Sequence, residues 1–159
     1  MRPLAAVMGQ WLLEALPRNE RFDAIVPLPL HWWKRMQRGF NQSELLSREL
    51  SLRTGIPMLP LVRRRRATPA QAGLTSAQRR QNMRGAFEVR NPSQVDGRTL
   101  LLIDDVMTTG STVNACAKAL KSAGAARVCV LTVARAARRA DPRTIAAAEF
   151  PRISEGAIA

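Results

Sequence analysis

The pattern of hydrophobic and polar positions divides the chain into alternating helices and strands. Apolar residues recur at three- and four-residue steps over 3–16, which predicts an amphipathic helix. The short apolar run at 24–30 predicts a strand that passes into a loop, because its prolines cannot continue a hydrogen-bonded ladder. A second helix is predicted from Asn41, with a glutamate three residues after this cap, to about Arg53, and it closes at Gly55.

The same pattern continues through the second half of the chain. We expect Ser111 or Thr112 to cap a helix that Gly124 stops. Because strands and helices alternate, the chain is expected to form a parallel sheet with right-handed crossovers. The elements predicted here are an edge strand over 56–62, a strand over 86–89, a turn at Asp96–Gly97, a buried strand over 98–104, a helix to Lys121 and a buried strand over 127–134.

The length of 159 residues favours a single domain. We assign this domain to residues 1–135 and treat 136–159 as a weakly patterned C-terminal tail. The chain contains no long apolar run and no leader-like segment, so we expect no membrane span and a cytoplasmic location. Cys116 and Cys129 are expected to be buried and free, since no second pair of cysteines accompanies them.

The charge of the chain predicts an anionic partner. Lysine and arginine number 25 against 12 aspartates and glutamates, which gives a net charge of +13 and a pI near 11.7. This excess of positive charge has three possible explanations: the chain binds nucleic acid, it binds a small phosphorylated metabolite, or its charges lie on a solvated surface without a partner. Seven arginines lie within 63–85, a stretch without carboxylates that we interpret as a long functional loop.

The most informative segment, LLLIDDVMTTGSTV, occupies residues 100–113. Asp104 and Asp105 follow a buried strand, and ligands of open parallel sheets collect at the carboxyl ends of strands. The next residues enter a helix, so their backbone N–H groups and hydroxyls can converge on a phosphate at its positive end. Glycine allows the main chain to approach this anion closely. The predicted cradle consists of Thr108, Thr109, Gly110, Ser111 and Thr112.

The two aspartates before this cradle indicate what else the ligand contains. Carboxylates would repel a phosphate, but they can accept hydrogen bonds from hydroxyls or face a divalent cation. A phosphate together with vicinal hydroxyls indicates a ribose 5-phosphate. A Walker loop is excluded because no lysine occurs here before Lys118. The alternative without a ligand site is a strand followed by a capped helix, with acids that are merely exposed. A helix cap needs one hydroxyl residue, so this alternative explains poorly why four occur within residues 108–112.

This segment resembles the phosphoribosyl pyrophosphate (PRPP) motif of type I phosphoribosyltransferases. The flanking segments VPLPLHWWKRMQRGFNQSELL (26–46) and RATPAQAGLTSAQRRQNMRGAF (66–87) resemble the ComF family, particularly its GntX-like branch, which is linked to competence and the use of external DNA. The resemblance covers 24 to about 135. It implies an α/β, Rossmann-like fold in which helices flank a parallel sheet and a long mobile basic loop covers the site.

The resemblance also implies roles for individual residues. Asp104 and Asp105 would hold the ribose hydroxyls. Their role towards the metal would be indirect, because the ribose that they hold also contacts Mg²⁺. The loop after them would hold the 5-phosphate, and residues 38–42 would brace the loop 27–30. We expect Arg79 and Arg80 to act in catalysis by neutralising the leaving pyrophosphate. The expected pyrophosphate side comprises Leu28, Pro29, Leu30, Lys34, Arg35 and Arg38.

Two departures from the family narrow these expectations. The cysteine-rich zinc segment that commonly begins family members does not occur here, so zinc is not expected in this chain. Thr108 stands where purine-salvage relatives carry an aspartate, and a threonine cannot act as that base at neutral pH. An amine or a pyrimidine-type nucleophile is therefore favoured over a purine.

Two classes of function remain open from the sequence. The chain could be a phosphoribosyltransferase acting on an unidentified nitrogen nucleophile. Alternatively, it could sense PRPP without catalysis, or bind single-stranded DNA through its basic surface. DNA-uptake proteins and a second copy of the chain also remain open as partners.

Overall fold

A computed structural model describes residues 2–16, 19–30, 39–65, 85–107 and 110–135. The helices and strands alternate along these residues as the hydrophobic pattern predicts. In chain order they are α1 (Arg2–Glu14), β1 (Ala24–Pro27), α2 (Gln42–Thr54), β2 (Val62–Arg64), β3 (Phe87–Val89), a 3₁₀ turn (Pro92–Gln94), β4 (Thr99–Met107), α3 (Ser111–Ser122) and β5 (Arg127–Arg135).

The main sheet is parallel and has the strand order β1-β4-β5. Its register places Leu101 between Ile25 and Cys129. A further segment runs along the outer side of β1, where Met58 forms a single parallel bridge with Ile25. There the Ile25 N–H donates to the Pro57 carbonyl, and the Leu59 N–H donates to the Ile25 carbonyl, both at 2.9 Å. The predicted strand over 56–62 is thus wrong in extent, because it is reduced to this one bridge and Val62 belongs to β2, but the segment does lie at the edge of the sheet among the described residues.

Alternating residues of β4 supply two hydrophobic cores, one on each face of the sheet. Leu100 and Leu102 pack with α3 and with β2 and β3, whereas Leu101 and Ile103 pack with α1 and α2. Period-two alternation produces this division, because successive strand side chains point to opposite faces. The uninterrupted apolar run 100–103 is therefore explained by a strand covered on both faces, as its sequence predicts.

The two ends of α2 follow the sequence signals closely. Asn41 occupies the N-cap position, and its Oδ1 accepts a hydrogen bond from the Ser43 N–H at 3.2 Å. Gly55 ends the helix in a left-handed conformation with a φ of 73°. Glycine adopts this conformation without the penalty that a Cβ would add.

The expected cap of α3 is wrong. Gly110, with a φ of 72°, occupies the N-cap position, and Ser111 is already the first helical residue. The chain leaves β4 through a left-handed conformation that favours glycine over a hydroxyl residue. The predicted stop is confirmed, because Gly124 follows the end of the helix with a φ of 97°.

The predicted beginning of the basic loop at residue 63 is also wrong. β2 and β3 form a two-stranded antiparallel ribbon in which Arg63 lies opposite Glu88. The Arg65 N–H continues the pairing by donating to the Ala86 carbonyl at 2.7 Å. Strand pairing accommodates these arginines because Glu88 provides a counter-charge and the Arg64 guanidinium lies 5.7 Å from the centre of the Phe87 ring.

β5 is less buried than its sequence suggests. Of its nine residues only Leu131 is buried, since β5 is the outer strand of the sheet within the described part of the chain. Cys116 and Cys129 are both free, as expected, but only Cys116 is buried; the expected burial of Cys129 is wrong, because that residue lies on the outer strand β5 and is partly exposed. Among the described residues, no helix is long and apolar enough to cross a membrane.

Candidate functional site

The site lies at the carboxyl edge of the sheet, where β1 ends beside β4. Pro27 pairs with Ile103 as the last pair of that ladder, and the Leu28 N–H still donates to the Ile103 carbonyl at 2.9 Å. β4 then continues to Met107 along β5 alone. Asp104 and Asp105 therefore lie just beyond the end of β1, beside its following loop, rather than at the tip of their own strand.

The two aspartates have different surroundings. Asp104 is only 7% exposed, whereas Asp105 is half-buried. The Asp105 N–H donates to Asp104 Oδ1 at 2.9 Å, which fixes the orientation of the buried carboxyl group. The pair thus combines one enclosed carboxylate with one that a ligand can reach.

The pKa of Asp104 is raised from 3.8 to about 7, chiefly by burial and in addition by the charge of Asp105. A hydrogen bond from the Ser43 side chain opposes this shift by favouring the ionised form. On the α3 side, burial raises the pKa of Cys116, and the charge of Asp104 adds to that increase. Asp104 therefore interacts with both helices whose amino ends meet at this edge of the sheet.

The amino end of α3 provides the second half of the site. The Asn114 N–H donates to the Gly110 carbonyl at 2.8 Å and makes the first hydrogen bond of the helix. The N–H groups of 111–113 precede this bond, and Gly110 makes no side-chain cap to them. Such N–H groups, at the positive end of the helix dipole, are suited to an anion. Among the described residues, a Cβ at Gly110 would meet the side chains of Met107 and Asn114, at 3.6 and 3.8 Å.

The loop after β1 completes the described part of the site. Leu28 is buried, and Pro29 and Leu30 are partly buried. The Leu28 carbonyl accepts a hydrogen bond from Asn41 Nδ2 at 3.1 Å. The structure thus contains, at Asn41, a contact of the bracing kind that the family resemblance implies for residues 38–42.

The predicted site residues divide into two groups. Those that the structure describes gather at this edge: Asp104, Asp105, Gly110, Ser111, Thr112, Leu28, Pro29 and Leu30. The others lie outside the described residues: Lys34, Arg35, Arg38, Arg79, Arg80, Thr108, Thr109 and the tail 136–159.

Sequence reasoning missed the contribution of α2 to the site. Ser43 is 3% exposed and contacts Asp104, although the two residues are 61 positions apart in the sequence. The available signal was the Asn41 cap, because a helix that begins after a parallel strand starts at the carboxyl edge of the sheet. The sequence does not give the strand order, and without the strand order it cannot show that the first turn of α2 reaches Asp104.

Comparison with known proteins identifies the family. The family model described as "Phosphoribosyl transferase domain" matches residues 36–154. The chain belongs to this family. Competence protein F of Haemophilus influenzae is 40% identical to this phosphoribosyl transferase domain over 116 residues, covering 72% of the chain and 51% of that protein. DNA utilization protein YhgH of Escherichia coli K12 is 41% identical over 114 residues, covering 71% and 49%.

Competence protein ComFC of Bacillus subtilis is also similar, with 31% identity over 117 residues that cover 73% of the chain and 46% of that protein. These relatives confirm the resemblance to the ComF family, while the GntX-like placement stays a prediction. The domain spans about half the length of the curated relatives that it matches.

Solved structures confirm the fold. Glutamine PRPP amidotransferase from B. subtilis superimposes with a TM-score of 0.56 at 20% identity, covering 83% of this chain and 26% of that one. Adenine phosphoribosyltransferase from Thermoanaerobacter pseudethanolicus gives 0.54 at 22% identity, covering 81% and 66%. At these identities the likeness concerns the fold alone, which is the α/β type I phosphoribosyltransferase fold expected from the sequence.

Proposed function

We propose that this domain binds PRPP at the carboxyl edge of β4 and transfers its ribose 5-phosphate to a nitrogen nucleophile, with release of pyrophosphate. The observation that carries the proposal is the adjacency of an acidic pair, Asp104–Asp105, to a helix amino end capped by a glycine. The acids suit vicinal hydroxyls, and the backbone N–H groups at the positive end of α3 suit a phosphate. A ribose 5-phosphate carries both vicinal hydroxyls and a phosphate, and few other ligands do.

In this proposal the half-buried Asp105 and the enclosed Asp104 accept hydrogen bonds from the ribose hydroxyls. The N–H groups of 111–113 bind the 5-phosphate, together with the hydroxyls of Thr108, Thr109, Ser111 and Thr112. Because Gly110 carries no Cβ, the phosphate can approach the main chain at the start of α3. Binding both ends of the sugar fixes C1 for attack, which lowers the entropic part of the barrier.

Bond breakage at C1 places negative charge on the departing pyrophosphate. We assign its stabilisation to the loop Leu28–Leu30 and to cationic side chains, each worth roughly 3 to 4 kcal/mol when well placed. The candidate cations are Lys34, Arg35, Arg38, Arg79 and Arg80. Thr108 replaces the aspartate of purine-salvage enzymes, so an amine or a pyrimidine-type nucleophile is the proposed acceptor.

Magnesium fits this site as a companion of PRPP rather than as a resident ion. Within the described residues, no group of three or more histidine, cysteine, aspartate or glutamate side chains could hold a metal. Two adjacent carboxylates suit an ion bound mainly by substrate oxygens, which is how proteins commonly bind Mg²⁺. When bound, the ion would neutralise charge on the pyrophosphate, and Asp104 and Asp105 would orient the ribose that it contacts.

Titration calorimetry with PRPP and Mg²⁺ tests the proposal. Asp105→Asn keeps the shape of the side chain but removes its charge, and we expect PRPP affinity to fall by roughly tenfold or more. Asp96→Asn, an exposed aspartate in the turn before β4, is the matched control and should bind as the wild type does. Unchanged binding by Asp105→Asn would show that the acids have another role. Amines and nucleobases are then screened for pyrophosphate release.

The distribution of charge favours a second candidate function, the binding of single-stranded DNA. On the α1–α2 side of the sheet, ion pairs join Arg48 to Glu44 and Arg53 to Glu49. On the ribbon, Arg63 and Arg65 share one carboxylate, Glu88, at 2.9 and 3.9 Å. Two exposed arginines with one shared carboxylate make the ribbon a basic surface among the described residues. Electrostatic binding there predicts a steep loss of DNA affinity with salt, with a log–log slope near −0.7 per neutralised phosphate.

A further inference from the structure

Asn41 connects two parts of the site with the two ends of one amide group. Its Nδ2 donates to the Leu28 carbonyl at 3.1 Å, and its Oδ1 accepts from the Ser43 N–H at 3.2 Å. The residue is 8% exposed, so neither contact is readily replaced by water. Breaking a buried hydrogen bond and leaving its partner unpaired costs roughly 1 to 3 kcal/mol. Asn41 thus holds the loop after β1 against the first turn of α2.

Ser43 extends this connection to the acidic pair. Its backbone N–H is the group bound by Asn41, and its buried side chain lies beside Asp104 and favours the ionised form of that carboxyl group. Both Ser43 and Asp104 are buried, and the Asp104 carboxyl group also accepts from the Asp105 N–H. A continuous series of contacts therefore runs from Leu28, through Asn41 and Ser43, to Asp104.

We propose that Asn41 and Ser43 are positioning residues that couple the pyrophosphate-side loop to the ribose-binding acid. The inference rests on the proposed function, since it assigns the two ends of this series to two parts of PRPP. Side chains fixed by buried hydrogen bonds hold a site in its productive geometry before the ligand arrives. Loss of the contact with Leu28 should then weaken binding of the pyrophosphate part of PRPP more than that of the ribose part. Loss of the contact with Asp104 should weaken binding of the ribose part more.

Capping of α2 is the simpler role for Asn41, and the two roles can be separated because they use different atoms. The cap uses Oδ1, whereas the contact with Leu28 uses Nδ2. Asn41→Asp keeps an oxygen for the Ser43 N–H, and aspartate caps helices about as well as asparagine does. The second oxygen would face the Leu28 carbonyl without a proton to donate. This variant should keep the cap of α2 and lose the contact with the loop, at a cost in stability because its carboxylate is buried.

The chain offers a matched control at Asn91. Its Oδ1 accepts from the Ser93 N–H at 3.2 Å, the same local contact at the same distance, at the exposed 3₁₀ turn Pro92–Gln94. Asn91→Asp therefore makes the same chemical change to the same kind of cap. Its turn precedes the amino end of β4 and has no place in this series of contacts.

The experiment compares three ligands, PRPP, pyrophosphate and ribose 5-phosphate, each with Mg²⁺, by calorimetry. We expect Asn41→Asp to weaken PRPP and pyrophosphate roughly 5- to 100-fold, with a smaller effect on ribose 5-phosphate. Ser43→Ala should show the reverse preference. Because the residues act in series, the double variant should weaken PRPP by less than the product of the single effects. Asn91→Asp should leave all three affinities and the melting temperature unchanged.

Different results would overturn different statements. If the wild type binds PRPP and Asn41→Asp binds all three ligands equally well, or loses all three equally, the coupling is refuted while the proposed function stands. If the wild type binds none of them, the proposed function falls and the coupling falls with it. Should Asn41→Asp unfold, Asn41→Ser replaces it, because serine also caps the helix and is too short to brace the loop.

Discussion

Asp104 is a buried acid whose ionisation works against folding. Burial raises its pKa in the folded protein above the ordinary value of 3.8, to about 7. Between these two values the folded state binds more protons than the unfolded state, so this residue makes stability fall as pH rises through that window. Below about pH 4 both states are protonated and the penalty is absent.

Replacing Asp104 with asparagine should therefore stabilise the protein while removing its proposed function. We expect Asp104→Asn to raise the free energy of unfolding at pH 8 by about 2 to 4 kcal/mol, with the gain disappearing near pH 4. PRPP binding should be lost, because residues that a functional site requires are often unfavourable for stability. Urea denaturation from pH 4 to pH 8 measures the first effect.

Asp96→Asn again serves as the control, since Asp96 is exposed, and its stability profile should run parallel to that of the wild type. A gain for Asp104→Asn of equal size at both pH extremes would contradict the assignment, because a charge-related penalty must vanish when the carboxyl group is protonated in both states.

Among the elements, those defined by local signals could be predicted from the sequence. The ends of α2 follow from Asn41 and Gly55, which act on the backbone within one helical turn. β4 follows from its uninterrupted apolar run. These features need no knowledge of distant residues, so a pattern read along the chain is sufficient to place them.

The features that could not be predicted depend on pairing between distant segments. The arginines of β2 lie in a strand because they pair with β3, in which Glu88 is 25 positions after its partner Arg63. β5 has the composition of a central strand, but its position in the sheet decides its burial. In the site, the acids and the start of α3 could be predicted, whereas the contact from Ser43 required the packing of α2 against β4.

Two glycines in neighbouring turns give a prediction at the level of elements. Gly97 and Gly124 both have positive φ angles, of 69° and 97°, and the Gly97 N–H donates to the Gly124 carbonyl at 2.9 Å. A Cβ at Gly97 would meet nothing within 4 Å, whereas one at Gly124 would collide with the carboxylate of Asp96 and lie in tight contact, at 3.3 Å, with its Cα. Gly97→Ala should cost only the backbone strain, about 1 kcal/mol.

Gly124→Ala should destabilise the protein by roughly 2 to 4 kcal/mol, since the collision adds to the same strain. Thermal or urea denaturation of the two variants side by side measures the difference. Equal losses would mean that the turn before β4 moves freely away from the end of α3.

At the scale of the whole molecule, the basic surface that Arg63 and Arg65 form on the ribbon predicts where DNA would bind. The Arg63 and Arg65 side chains are 58% and 70% exposed on the ribbon. We expect the double variant Arg63→Gln/Arg65→Gln to lower affinity for single-stranded DNA and to reduce the salt slope by roughly 1.4, the value for two phosphates. PRPP binding should be unaffected.

Arg48→Gln/Arg53→Gln removes the same charge from α2 on the opposite face and is the matched control. Fluorescence anisotropy with a labelled oligonucleotide, repeated over a series of salt concentrations, distinguishes the two double variants. Identical slopes for both would show that net charge, rather than the ribbon, determines the attraction.

The segment beside β1 restricts how copies of this domain can associate. Pro57 and Pro60 carry no N–H, so this side of the sheet cannot donate a regular series of hydrogen bonds to an incoming chain. Polymerisation by β-augmentation is disfavoured there, even though β1 is almost wholly apolar. A dimer of this domain would therefore have to form by contacts other than strand pairing along this segment.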